Sequence, residues 1–135
     1  MHKHSKPGWM LCLVMFLSVA GIGRAADGEL TRELAGTKLT YQYEGGRRYD
    51  VSFTADTISW HRLDVARDPV ADVPYVARRI EPGVFLVNWH RPEHTEYITI
   101  LFDFNKRLMY TSGLLEGRDR HFEAGKITSL ERSAR

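Results

Sequence analysis

Apolar and polar residues alternate along most of the chain from Thr37 onward, and two segments ahead of it follow other patterns. From Thr37 onward Leu39, Tyr41 and Tyr43 alternate with Lys38, Thr40 and Gln42 up to Gly45-Gly46, which predicts a strand running into a hairpin. Tyr49, Val51 and Phe53 alternate on the return, Ala55-Asp56 turns, and Ile58 with Trp60 marks a third strand before the polar stretch Asp64–Asp72. After Pro74, Tyr75–Ile80 reads as a fourth strand, closed by the turn Glu81-Pro82-Gly83. Val84–Trp89 is the fifth, and its run Val84-Phe85-Leu86-Val87 is the pattern of a strand covered on both faces. Arg91-Pro92-Glu93-His94 forms the next loop, Tyr97–Phe104 a sixth strand, and Asn105-Lys106 turns into Leu108–Leu114. The tail from Arg120 to Leu130 supplies one or two more strands around Gly125.

Seven to eight short strands joined by tight turns, with no long helical crossover, pair antiparallel with their neighbours. The class is therefore all-β, and the lack of long sheet-swapping connections favours an up-and-down barrel over a Greek-key sandwich. A barrel of about eight strands encloses either packed side chains or one small ligand. Ahead of the first strand, Leu30 and Leu34 stand one helical turn apart with Gly36 behind them as a left-handed stop, which predicts a short N-terminal helical turn.

The other departure is at the start. His2, Lys3, His4 and Lys6 precede an apolar stretch, Met10–Ile22, and Gly23-Arg24-Ala25 puts small residues at the −3 and −1 positions of a cleavage site. That pattern is a secretory signal peptide, residues 1–25, and the stretch is shorter than the roughly 20 residues a membrane-crossing helix needs. The expectation is a periplasmic or secreted protein with no membrane span after cleavage, its single domain occupying residues 26–135. Cys12 would leave with the leader, which excludes disulfides, thiol catalysis and thiolate metal sites from the mature chain. The whole sequence has 19 Lys+Arg and 17 Asp+Glu, but Lys3, Lys6 and Arg24 lie in the leader, so 19 − 3 = 16 bases face 17 acids afterwards. A near-neutral chain with scattered bases offers no footprint for nucleic acid.

Candidate chemistry concentrates in aromatic residues on the predicted strands: Tyr41, Tyr43, Tyr49, Trp60, Tyr75, Trp89, Tyr97 and Tyr110. Tyr and Trp carry a polar atom that needs a partner when buried, so an inward set makes an amphipathic cavity. Period two sends the Tyr41 and Tyr43 hydroxyls to one side, where they would hold a phenol, carboxylate or carbonyl between them. His90-Arg91 reads either as a plain exposed hairpin or as an anion contact at the barrel mouth, with Arg91 as the guanidinium fork. His90 and His94 have the four-residue spacing of a helical metal pair, but Pro92 between them disfavours a helix and they read as solvated rim histidines, so no metal and no cofactor is expected. Either one of Arg78 and Arg79 faces inward or both lie near an edge, and an inward arginine needs an acid, with Asp103 or Glu44 nearest by strand logic. No glycine loop precedes a helix and no serine sits in a nucleophile elbow, so nucleotide-dependent and covalent chemistry lack support.

The segments Gly36–Gly46, Tyr75-Val-Ala77, Ile80–Trp89 and Thr99-Ile-Leu-Phe-Asp103 resemble the MoaF (molybdenum cofactor biosynthesis protein F) family, whose lipocalin-like, calycin-type barrel is similar to that of bacterial phenolic acid decarboxylases. The resemblance spans Leu34 to about Gly113 and rests on strands and turns more than on functional motifs. Resemblance to the decarboxylases implies that Tyr41 and Tyr43 grip a ligand, assisted by an arginine, either Arg67 or Arg62. The proton-handling glutamate that follows a strand tryptophan in those enzymes reads Arg91 in Trp89-His90-Arg91-Pro92, which argues against decarboxylation. Tyr41, Tyr43, Trp60, Arg67, Tyr75, Trp89 and Arg91 are the expected ligand-binding set. The reading is an exported barrel binding a small aromatic or carboxylated molecule; the alternatives are a cofactor-free lyase and a protein-interaction module of the cell envelope. Homodimerisation through the barrel surface is compatible with each.

Overall fold

The computed structural model describes residues 25–133, so the expected signal peptide lies outside the described residues except for Ala25. Eight antiparallel strands close into a barrel in chain order: β1 (Lys38–Tyr43), β2 (Arg48–Phe53), β3 (Thr57–Arg62), β4 (Val70–Glu81), β5 (Val84–Arg91), β6 (Glu96–Asp103), β7 (Leu108–Leu115) and β8 (Asp119–Glu131). Each strand bonds to its neighbours and β8 returns to β1, with Tyr41 beside Ile127 and Tyr43 beside Gly125. The alternation seen in the sequence is the alternation of the wall: in β1, Leu39, Tyr41 and Tyr43 are buried while Lys38 and Gln42 face out.

The tail forms one thirteen-residue strand because Gly125 is part of the wall and not a turn. A Cβ there would stand 2.6 Å from the Gln42 carbonyl oxygen and 2.8 Å from the Met109 sulfur. The missing side chain lets β8 pass between β1 and β7, next to a register shift at Thr40/Tyr41. β4 is also longer than its sequence pattern, beginning at Val70, because Asp72 adopts φ 57° and takes up a register shift against β3.

No N-terminal helical turn forms. Residues 32–37 make two reverse turns, Ala35 N–H to Arg32 O at 3.1 Å and Thr37 N–H to Leu34 O at 2.9 Å, with Gly36 left-handed at φ 79° as the stop signal required. The physical reason lies in β4, which outruns β3 and leaves backbone groups open on that side. Residues 28–31 lie along this stretch: Thr31 N–H donates to Ala77 O at 2.9 Å, Arg79 N–H to Glu29 O at 3.0 Å, and Leu30 bridges Arg78. An extended segment satisfies those groups and a helix cannot.

The strap formed by residues 25–36 seals one end of the barrel. Fully buried Leu34 sits at this end with Phe53, Phe85, Phe102, Phe104 and Met109, and Phe102 lies 6.1 Å from both Phe53 and Phe104, centroid to centroid. Arg79 is the inward member of the Arg78-Arg79 pair, but its acids are neither Asp103 nor Glu44. Its partners come from the strap: Asp27 and Glu33, each at 3.5 Å, and the Ala25 carbonyl at 2.8 Å. Strand logic missed them because they belong to no strand.

Candidate functional site

The opposite end of the barrel is open. Here β1, β3, β5 and β7 end and β2, β4, β6 and β8 begin, so their terminal inward residues converge on one cavity of about 60 Å³. Tyr41, Tyr43 and Tyr49 make one wall and Trp60 with Trp89 the other, over a floor that includes Ile98, Ile100 and Phe102. The Tyr41 ring stands edge-on to Tyr43 at 5.2 Å and lies 5.6 Å from Tyr49; the two indoles are 5.3 Å apart. The cavity widens outward into a vestibule of about 1360 Å³ that shares Arg47, Tyr49, Trp60, Glu96 and Leu115 with it.

The mouth is lined by arginines that each hold a carboxylate. Arg91 Nη1 lies 3.5 Å from Glu96 Oε2, and the same oxygen accepts from the Trp89 indole N–H at 3.1 Å. The Arg91 guanidinium stacks 5.4 Å over Trp60, so it is positioned by charge and by an aromatic face together. Across the mouth, Arg47 donates to Glu123 at 2.7 Å and to His121 Nδ1 at 3.0 Å, and lies 5.0 Å over the Tyr43 ring. Arginine only donates, which assigns the His121 proton to Nε2. Arg62 grips Asp64 through two bonds, at 2.9 and 2.8 Å, and holds its carboxyl well below the usual range.

Burial raises the Tyr41 phenol well above its ordinary pKa, with the adjacent Tyr43 adding to the effect. Burial likewise raises Tyr43, against the opposing hydrogen bond to Thr111, whose Oγ1 is 2.8 Å from the Tyr43 hydroxyl. Both phenols are neutral near pH 7 and act as hydrogen-bonding groups. Burial lowers His121, and the Arg47 charge lowers it further, so the imidazole is neutral under the same conditions.

Of the residues expected from sequence, Tyr41, Tyr43, Trp60 and Trp89 line the cavity, and Arg91 stands in the vestibule against Trp60. Two do not join them. Arg67 lies on the exposed β3–β4 loop at the outer wall of the vestibule. Tyr75 faces inward beside Trp89 but leans the other way, packing 5.3 Å from Phe53 and donating its hydroxyl to Thr54 O at 2.8 Å; burial pushes its pKa up to about 12. Sequence reasoning missed Arg47, Glu96 and His121, and left Tyr49 among the unplaced aromatics. Tyr49 was accessible, since it shares the inward period of Val51 and Phe53. Glu96 was not, because its place depends on the β5–β6 register that sets it opposite Arg91.

The family described as the MoaF N-terminal domain matches the chain over residues 20–116. No curated protein sequence matches it. Among solved structures, it is similar to a crystal structure from Burkholderia vietnamiensis described as a "putative beta-lactamase", at 14% identity and a TM-score of 0.62, over 74% of this chain and 95% of that one. At that identity the likeness is one of fold.

Proposed function

The chain belongs to the MoaF N-terminal domain family, and from that premise we propose that it is an exported barrel binding a small aromatic carboxylate at its open end. The observation that carries the reading is the pair of aromatic walls, phenols facing indoles, beneath arginines on both sides of the mouth. A flat ring gains dispersion and edge contacts between such walls, and a carboxylate left at the mouth meets a guanidinium fork. Size sets the pose. An apolar cavity of about 150 Å³ takes a benzene ring, so the 60 Å³ space accepts only part of one. The rest of the molecule must stand in the vestibule, which places its charged end level with Arg47 and Arg91.

Trp60 and Trp89 both contact the cavity, so titration with 4-hydroxycinnamate should quench tryptophan emission. Tyr41→Phe combined with Tyr43→Phe should weaken that binding by about tenfold with the circular dichroism unchanged, the loss expected of one or two net hydrogen bonds. Equal affinity in the double variant would remove those hydroxyls from the site. Export is tested by the mass of the protein recovered from its native cell envelope; a chain beginning at Ala26 supports it, and an intact Met1–Ala25 segment overturns it.

One observation favours a second reading, a cofactor-free lyase. Glu96 places a carboxylate on the cavity wall directly opposite Arg91, the position at which the decarboxylase glutamate is lost from β5. In that reading Glu96 transfers the proton, and Glu96→Gln abolishes carbon dioxide release from 4-hydroxycinnamate while retaining fluorescence quenching. Quenching without turnover by the unaltered protein leaves the binding function alone.

A further inference from the structure

The outer wall of the barrel is divided in a way that the ligand cavity does not explain. Across β5, β6, β7 and β8 one outward row reads Leu86, Leu101, Tyr110 and Ala124, and the next reads Asn88, Thr99, Ser112 and Phe122. Tyr97 and Leu114 continue the face toward the mouth, and Arg120 supplies a charge at its corner. Phe122 is 75% exposed, Tyr97 54% and Tyr110 49%. On the other side, β1 to β3 turn out Lys38, Gln42, Arg48, Asp50, Ser52 and His61. The β5 sequence carries the pattern of a strand covered on both faces, yet a barrel covers only the inner one.

We propose that the β5–β8 face is the two-fold interface of a homodimer. A closed barrel has no edge strand to extend, so association must be face to face. In a two-fold contact the same patch meets itself, and a patch whose one charge, Arg120, stands at its corner does so with little like-charge repulsion. The polar row crossing the face does not oppose burial: Asn88 Nδ2 donates to Thr99 Oγ1 and to Ile98 O, both at 2.9 Å, so its amide protons are satisfied within its own wall. The exposed aromatic area supplies a large share of what an interface needs. Phe122, Tyr97 and Tyr110 at these exposures present roughly 350 Å², given about 150–250 Å² for a whole aromatic side chain. That is nearly half of the about 800 Å² each partner contributes to a standard interface, and Leu86, Leu101, Leu114 and the polar row extend it. A lipid surface fits less well, since the row beyond Leu101 carries Asp103 and Lys126 in balance and no cluster of bases.

Sedimentation equilibrium on protein expressed from the full-length sequence should give twice the protomer mass at micromolar concentration. Tyr110→Glu with Phe122→Glu places repelling carboxylates across the two-fold and should weaken the dimer at least about 100-fold. Both side chains project outward, so the circular dichroism and melting curve should be retained, and Gln42→Glu on the opposite wall should leave the dimer intact. A protomer mass that persists at about 100 µM, well above the range of standard interfaces, overturns the proposal, as does a dimer indifferent to the double variant. Cosedimentation of a monomeric chain with phosphatidylcholine vesicles, lost in the double variant, overturns it by assigning the face to a membrane.

Discussion

The two ends of the barrel interior are built from the same alternating strands, yet one is a core and the other a site. At the closed end the inward positions carry Phe53, Phe85, Phe102 and Phe104, side chains with no polar atom, and the strap covers them. At the open end the same periodicity delivers Tyr41, Tyr43, Tyr49, Trp60 and Trp89, each apolar in body and polar at one atom. The difference teaches that a barrel of this size keeps a cavity at one end by grading side-chain chemistry along its axis and leaving that end uncovered. The charges follow the same division. Arg79 at the closed end is held by the strap's acids, whereas Arg47 and Arg91 hold carboxylates at a mouth open to solvent.

The largest expected effect comes from breaking the closed end. Phe102→Ala removes a fully buried ring and should destabilise the protein by about 3–5 kcal/mol in urea titration. A loss below about 1 kcal/mol would mean that this end is already loosely packed, and the comparison would fail. Next is Arg79→Ala, which removes the ion pairs to Asp27 and Glu33 and unfastens the strap. With the partner Asp27 61% exposed, the cost should be about 2 kcal/mol, below the range for a fully buried pair. Hydrogen exchange should rise at Thr31 and Arg79 while the mouth is unaffected.

The smallest effect sharpens the contrast from the mouth. The folded pKa of His121 is depressed, so the unfolded chain binds the proton more readily and the associated stability is present above the unfolded value. It is lost as pH falls below about 6.5 and through the lowered folded pKa. His121→Gln keeps an acceptor for Arg47 without a titrating ring, and should flatten this part of the stability profile between pH 7 and 5. An unchanged slope would assign that pH dependence to other groups.

Much of this was legible because period two is a geometric rule: Leu39, Tyr41 and Tyr43 had to share a face, and they do. The rule is silent on position along the barrel axis. Tyr75 and Trp89 are register partners with the same inward period, but one leans to the closed end and the other to the mouth. Glu96 and His121 were hidden for a related reason, since Glu96 meets Trp89 and Arg91 only through the β5–β6 register and His121 meets Arg47 from the far end of the domain. The strap was misread because two leucines at helical spacing carry less weight than the open backbone of an overlong strand.

The seam between β1 and β8 also governs how the chain becomes a protein. Tyr41 and Ile127 come from opposite ends of the domain, so the ring cannot shut until its last strand is available. Contacts of that span make folding slow, on the order of milliseconds to seconds. A nascent chain therefore cannot complete the barrel until β8 has been made, so the first strand waits longest for its second neighbour.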